Sequence, residues 1–219
     1  IIGPLFAENA VAAGRAVQGS GVNVVSFSTD ATVAGGNVFV MGILPSTQID
    51  RVVSYARGQG IARYAVLAPA NEYGNITLTA MRNAAGRAGA QIVATQMYDP
   101  NAGDFGGPVQ AIEASGADAV MIPDGGLRLR QVASLVPFYG MTGLQMVGTM
   151  LWDDPSLQVE RALHGGWFAA PDPSLRRDFE ARYEAAFGAA PPRLATLAYD
   201  GMALAIALGT TPSGFGGSS

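Results

Sequence analysis

The chain has 219 residues, 49% of them apolar and 14% charged, enough to bury a core in one large domain or two smaller ones. Its formal net charge of −4 argues against a nucleic-acid partner, because phosphate binding needs a basic surface. It has no cysteine, which excludes disulfides, thiolate metal sites and a cysteine nucleophile. No apolar run reaches the roughly 20 residues needed to span a bilayer.

The first half of the chain alternates apolar strands with helix patterns. Ile1–Leu5 is typical of the end of a buried strand, so we expect the numbering to begin inside a domain. Ile49, Val52 and Val53 follow helical spacing and indicate one apolar helix face. The predicted elements are a helix over Glu8–Gln18, a strand over Val22–Phe27, an apolar stretch over Asn37–Ile43, a helix from Ser46 to Gly58, a strand at 64–68, a helix ended by Gly89, and a strand over Gln91–Met97.

The second half continues the alternation. Asp104 is the predicted N-cap of a helix through Ser115. We expect the final helix, Leu194–Leu208, to be more buried than the amphipathic helix before it. The glycine- and serine-rich Thr210–Ser219 predicts a mobile tail or a junction. The remaining elements are strands over Asp118–Ile122, Leu144–Thr149 and Gly166–Ala170, a helix over Leu127–Phe138, and the amphipathic helix marked by Leu175, Phe179, Tyr183 and Phe187.

Strands separated by helices of this length indicate βαβ units and a parallel α/β sheet. Ligands of such sheets bind outside the carboxyl ends of the strands, so function is expected where a strand runs into a polar or glycine-rich corner. None of these corners carries a recognisable catalytic constellation, and we therefore predict a binding protein. Four segments end in such corners: GVNVVSFSTD, YAVLAPANEYG, DAVMIPDGG and QMVGTMLWDD.

Enzymatic interpretations find little support in the residues. The sole histidine, His164, precedes two glycines, and one histidine cannot build a histidine metal cluster. No GxGxxG sequence opens a first helix and no P-loop is present. The sequence therefore predicts no cofactor, no metal and no catalytic residue.

The order of these segments resembles the type I periplasmic binding proteins of the leucine/isoleucine/valine-binding group. The matching stretches are IIGPLFAENA, GVNVVSFSTDAT, RYAVLAPANEYG, GDFGGPVQAIEASGADAVMI and GLQMVGTMLWDD. The resemblance implies two doubly wound parallel-sheet lobes, joined by a hinge, that close over a ligand. Lobe one would comprise residues 1–43 and 171–219, and lobe two residues 44–170. It also implies that N-terminal and C-terminal parts of lobe one are missing from this chain.

One subgroup is more similar still. The GPLF start, the VVSFS strand and the apolar VFVMG stretch resemble the binding-protein-like domain of lipoproteins that activate penicillin-binding proteins. That resemblance implies a periplasmic protein, anchored by an N-terminal lipid outside this chain, that works by contact with a peptidoglycan synthase.

In amino-acid-binding relatives, the loop at the first helix start holds the ligand carboxylate, and the aligned positions here are Phe6, Ala7 and Glu8. No serine is present there, and Glu8 would repel a carboxylate. Glu8 otherwise stabilises the positive end of the helix dipole. Ser28 and Thr29 offer hydroxyls and amides at the next corner, with turn formation or N-capping as the alternative.

Lobe two supplies the remaining candidates. Tyr73 corresponds to a family tyrosine that packs on the ligand, or it is a rim residue with a solvated hydroxyl. Relatives place a carboxylate near Met150 to pair with the ligand ammonium, and its absence weakens amino-acid binding because a buried ammonium needs a counter-charge. Asp124 could substitute, or cap the following glycine turn. Trp152 could form an apolar wall of the cleft, or pack in the core.

Three functions remain open. The first is a non-catalytic regulator of a penicillin-binding protein. The second is the solute receptor of an ABC importer, with an amino acid or similar small polar molecule in the interlobe cleft and an ABC permease as partner. The third is an enzyme on a Rossmann-like fold.

Overall fold

The structure is a computed structural model that describes residues 1–209, so the predicted tail at 210–219 lies outside the described residues. The chain separates into two compact units. Unit 1 comprises Ile1–Leu44 and the chain from Pro171 onward, and unit 2 comprises Pro45–Ala170. Leu44, which the expected lobe boundaries assign to lobe two, lies in unit 1.

Unit 2 contains a five-stranded sheet in the order β4-β3-β5-β6-β7, with every neighbouring pair parallel. The parallel α/β class predicted from the sequence is therefore confirmed. The strands are β3 (Arg63–Pro69), β4 (Gln91–Tyr98), β5 (Ala119–Met121), β6 (Gln145–Gly148) and β7 (Trp167–Phe168), and the helices are α2 (Pro45–Gly58), α3 (Glu72–Ala88), α4 (Gly106–Gln110) and α5 (Gly126–Phe138).

Alternating residues of β3 bury opposite faces of this sheet. Tyr64 and Val66 pack with residues of α2 and α3 in one apolar cluster, whereas Ala65 and Leu67 pack with residues of α4 and α5 in the other. Successive strand side chains point to opposite faces, so a strand covered on both faces must be apolar throughout. Because helices cover both faces of the sheet, a ligand or partner can reach it only at its two edges, where the strands begin and end.

Glycines allow the closest packing in this unit. Gly89 adopts a left-handed conformation (φ 64°) and ends α3, as the sequence predicts. Gly148 lies against the Trp152 indole, so closely that a Cβ at position 148 would overlap the ring. The indole therefore lies directly over β6.

Unit 1 contains a two-stranded parallel sheet. β1 (Val24–Ser26) pairs with β2 (Val38–Val40), and Ile2 forms a single parallel bridge to Val25. Helix α1 (Ala7–Ala16) covers this sheet, and a small core of Ala10, Val24 and Val38 lies between them. The later helices are α6 (Arg177–Phe187) and α7 (Ala195–Gly209).

One prediction about a helix is wrong. The helix expected from Asp104 to Ser115 is replaced by the five-residue α4 and, after Ala111 and Ile112, a 3₁₀ turn over Glu113–Ser115. Three of the five residues of α4 are poor helix formers, Gly106, Gly107 and Pro108, which gives this segment a low helix propensity. The N-cap is Phe105, although Asp104 Oδ1 still accepts from the Gly106 amide at 2.8 Å.

Helix α7 is more buried than α6, as expected, since α6 has no buried residue, but the difference is small. Only Leu197 and Gly201 of this helix are buried, whereas Met202 and Ile206 are more than half exposed. The physical reason is that the described part of unit 1 has only a two-stranded sheet, which cannot cover an apolar helix on several sides.

Candidate functional site

The carboxyl ends of β3, β4, β5 and β6 reach the same edge of the unit 2 sheet because these strands are parallel. Polar side chains follow each of them. Tyr73 lies in the first turn of α3, Tyr98 ends β4, Asp124 follows β5, and Thr149 follows β6. We call these four residues together with Arg128 the carboxyl-edge network.

Asp124 is the centre of this network and is only 3% exposed. Its Oδ2 accepts from the Tyr98 hydroxyl at 2.6 Å and from Arg128 Nε at 2.5 Å. Its Oδ1 accepts from Arg128 Nη2 and from the Gly125 amide, both at 2.8 Å. Both carboxylate oxygens are therefore engaged twice within unit 2, and the charge of Asp124 is compensated by Arg128.

The environment of Asp124 shifts the titration of its neighbours. Burial raises the pKa of Tyr98, and the hydrogen bond to Asp124 raises it further because it favours the protonated phenol. The Asp124 carboxylate likewise raises the pKa of Arg128. Tyr98 therefore remains a neutral donor at physiological pH.

Tyr73 and Thr149 form the second part of the network. Their hydroxyl oxygens are 3.0 Å apart, and Thr149 is fully buried. Burial raises the pKa of Tyr73, so its hydroxyl is neutral. Next along the chain, the Met150 amide donates to Gln48 Oε1 at 2.8 Å. The polar groups here are paired within unit 2.

Met150 and Trp152 lie beyond the end of β6. Met150 is half-buried in the 3₁₀ turn over Met150–Trp152 and brings no carboxylate to this place. Trp152 is 6% exposed, and its indole N–H donates to the Ile122 carbonyl at 3.0 Å. The indole therefore belongs to the core packed against the sheet, while its edge lines a depression of about 250 Å³.

The predicted residues of unit 1 form two local groups. Phe6 is 63% exposed and is the N-cap of α1, without a side-chain cap bond. Ala7 begins that helix, and Glu8 lies exposed in its first turn, where a carboxylate suits the helix dipole. Ser28 is 2% exposed and its Oγ accepts from the Asp30 amide at 3.0 Å, whereas Thr29 is exposed.

The structure thus brings Tyr73 and Asp124 to one edge of one sheet, and adds residues that the sequence reasoning missed. These are Tyr98, Arg128 and Thr149. The spacing of Asp124 and Arg128 was a usable signal, because Asp124 directly precedes the N-cap of α5 and an Arg side chain in the first turn can reach back to a carboxylate there.

His164 lies away from this network. It is exposed, and its Nε2 is 3.0 Å from the Gln158 carbonyl oxygen. Among residues 1–209 there is no group of three or more His, Asp or Glu side chains suited to hold a metal ion. No helix in the described part of the chain is long and apolar enough to cross a membrane.

Parallel α/β units with polar residues at the carboxyl ends of the strands are typical of doubly wound α/β folds, the class to which type I periplasmic binding proteins belong. The family model for periplasmic binding proteins matches residues 1–209, and the chain belongs to that family, with a leucine-binding-protein-like fold. Membership implies an extracytoplasmic location. No curated protein matches the sequence.

Solved structures share this fold at low sequence identity. A protein described as a branched-chain amino acid ABC transporter from Rhodospirillum rubrum has a TM-score of 0.79 and 19% identity, covering 98% of this chain and 64% of that one. A leucine-binding protein from Thermotoga maritima has a TM-score of 0.72 and 19% identity, covering 95% and 63%.

A third structure was solved with a bound ligand. It is an ABC transporter solute-binding protein from Rhodopseudomonas palustris in complex with 3,4-dihydroxybenzoic acid, with a TM-score of 0.71 and 19% identity. The alignment covers 93% of this chain and 60% of that one. The chain therefore spans less than two thirds of the length of each of these three structures.

Proposed function

We propose that the chain is part of a non-catalytic, extracytoplasmic regulator that activates a penicillin-binding protein through protein contact. The observation that carries the proposal is the paired state of the carboxyl-edge network. Asp124 is compensated by Arg128, and the Tyr73 and Thr149 hydroxyls are hydrogen-bonded to each other. A tightly bound polar solute would have to replace these contacts, whereas a regulator can keep the fold without using them.

The similarity of GPLF, VVSFS and VFVMG to the activator lipoproteins also supports this role. In this proposal an N-terminal lipid outside the chain anchors the protein. Residues 1–43 with 171–219 belong to lobe one, which is incomplete in this chain, and residues 44–170 belong to lobe two.

A binding and activity assay tests the proposal. Purified protein is immobilised, a purified penicillin-binding protein from the same organism is added, and its glycan polymerisation is measured with and without the regulator. We expect retention of the synthase and a higher polymerisation rate. The proposal would be contradicted if the protein neither retained nor activated any synthase of that organism.

The second candidate is the solute receptor of an ABC importer, and the solved relatives described as ABC transporter proteins favour it. In this role Tyr73, Asp124, Met150 and Trp152 are the proposed ligand contacts of lobe two, and Phe6, Ala7, Glu8, Ser28 and Thr29 those of lobe one. Since Arg128 already neutralises Asp124, we propose a ligand without an ammonium group, such as an aromatic carboxylic acid whose carboxylate lies away from Glu8.

Thermal unfolding with a solute panel tests this second role. The panel contains leucine, benzoate and 3,4-dihydroxybenzoate. A ligand that binds only the folded protein stabilises it by about 2.7 kcal/mol at one hundred times its dissociation constant, which raises the melting temperature. Stabilisation by benzoate but not by leucine is the expected result, and stabilisation by leucine alone would exclude the proposed ligand class.

A further inference from the structure

A row of open depressions runs from the opposite edge of the unit 2 sheet along β7. The central one has a volume of about 640 Å³ and lies at the residues that precede β6 and β7, between the end of α5 and the turn over Glu160–Gly166. A depression of about 260 Å³ shares Met141 and Leu144 with it. Another of about 250 Å³ shares His164 and Gly166 with it and extends to Trp152–Asp154, beyond the carboxyl end of β6. We name all three depressions, after the central one, the amino-edge groove.

The groove has an apolar floor. Its apolar side chains also belong to the core cluster on that face of the sheet, so they are held in place by the fold. A floor of this kind offers fixed sites for apolar side chains of a partner. The floor residues are Ile112, Met141, Leu144, Met146, Trp152 and Leu163.

The charged residues around this floor are mainly acidic. Four carboxylates and one guanidinium line the three depressions, those of Glu113, Asp153, Asp154, Glu160 and Arg161. Asp154 and Glu160 each use one carboxylate oxygen to accept from the amide two residues further on, which leaves the second oxygen for a partner.

We propose that the amino-edge groove is a docking surface for an extended polypeptide segment that carries apolar and basic side chains. Three adjoining depressions match an extended segment better than one compact molecule, because successive side chains can occupy successive depressions. The acidic rim complements a basic segment and repels an acidic one. The inference rests on the proposed regulatory role in one respect only, namely that the molecule bound in the groove is a protein.

A blocking substitution at an exposed position tests the surface. Thr142 lines the central depression and is exposed, so Thr142→Arg adds a long cationic side chain without disturbing the core. Thr79→Arg on α3 is the matched control, since Thr79 is exposed and lines none of these depressions. Glu113→Lys reverses a charge at the exposed rim. Unchanged circular dichroism and melting temperature establish that each variant is folded.

The probe is a displayed random-peptide library, selected on the wild-type protein. We expect enrichment of peptides that combine apolar residues with Arg or Lys, with affinity that falls as salt is raised. Thr142→Arg and Glu113→Lys should each weaken these peptides about tenfold, which corresponds to about 1.4 kcal/mol, while Thr79→Arg leaves them unchanged. No enrichment, or enriched peptides that bind Thr142→Arg as tightly as wild type, overturns the proposal.

Two further results separate this proposal from the proposed regulatory role. If a synthase binds wild type and Thr142→Arg equally, the groove assignment fails while the role stands. If no synthase binds but the selected peptides depend on the groove, the role fails and the groove stands. Sedimentation identifies a different occupant: self-association of the wild type that Thr142→Arg abolishes would show that the groove binds a second copy of this chain, against the proposal.

Discussion

Strand β5 has an aspartate–arginine pair beyond each of its ends, and the two pairs differ mainly in burial. At the amino end, Asp118 binds Arg63 at 2.8 Å, with side chains 26% and 53% exposed. At the carboxyl end, Asp124 binds Arg128 with side chains 4% and 33% exposed. The same chemical groups therefore occur in two environments, on either side of one strand.

The comparison shows how the two edges of this sheet differ. An exposed ion pair contributes little to stability because water and salt screen it. A buried pair contributes little net energy as well, but removing one partner is costly since it leaves the other charge buried without compensation. The carboxyl edge is thus a paired network that is sensitive to substitution, whereas the amino edge is open and tolerant.

The largest expected effect is that of Asp124→Ala. This substitution removes the acceptor of Arg128, Tyr98 and the Gly125 amide, and we expect it to lower the free energy of unfolding by about 3 kcal/mol. Urea denaturation measures the loss. Asp118→Ala is the matched control and should cost clearly less. If both variants lost the same free energy of unfolding, burial would not distinguish the two ion pairs.

The next largest expected effect on stability concerns how tightly side chains pack at the two edges of the unit 2 sheet. A Cβ at Gly148 would overlap the Trp152 indole, whereas a Cβ at Gly143, which lines the amino-edge groove, would meet no atom within 4 Å. We expect Gly148→Ala to cost about 2 kcal/mol in the free energy of unfolding, since overpacking forces the ring or the strand to move.

Gly143→Ala should leave the stability within about 0.5 kcal/mol of the wild type. Denaturation of both variants under the same conditions checks the contrast. A tolerated Gly148→Ala would show that the indole can move off β6 at little cost.

Much of the fold is predictable from the sequence because unit 2 repeats one physical pattern. β3 is apolar on both faces and lies between glycine-ended helices, and these features specify a covered parallel strand. The helix after Asp104 was predicted too long because a capping residue indicates where a helix can begin but not how far it extends, and the two glycines and the proline of α4 lower its helix propensity.

The carboxyl-edge network was less predictable, since it joins residues far apart in the chain. Tyr98 reaches Asp124 across 26 positions, and Tyr73 reaches Thr149 across 76. No local pattern encodes such pairs, which depend on the strand order. Arg128 was within reach of sequence reasoning, because it follows Asp124 by only four residues and an Arg side chain in the first turn of a helix can reach back to a carboxylate that precedes the helix.

Tyr98→Phe sharpens the comparison by removing one donor to the buried carboxylate. We expect a loss of about 2 kcal/mol, as for other hydrogen bonds to a charged group. Because the folded-state pKa of Tyr98 is raised, the neutral phenol stabilises the fold fully below its ordinary pKa near 10, and this contribution is lost as the pH rises further.

Alkaline unfolding curves of wild type and Tyr98→Phe should therefore converge above pH 10. Burial also raises the pKa of Tyr64, to about 12, so part of the alkaline loss persists in the variant. A constant difference between wild type and Tyr98→Phe at every pH would contradict the raised pKa of this phenol in the folded protein.

The smallest effect concerns the exposed pair. The hydrogen bond from Arg63 lowers the pKa of Asp118 to about 2, from an ordinary value of 3.8. The carboxylate therefore stabilises the fold above pH of about 4, and this contribution is lost as the pH falls towards 2. Melting temperatures of wild type and Asp118→Asn should differ at neutral pH and converge across that window. Raising the salt concentration should reduce the difference in melting temperature between wild type and Asp118→Asn at neutral pH, because the ion pair is exposed. If salt does not reduce this difference, Asp118 behaves like the buried Asp124, and the two ends of β5 do not differ in this respect.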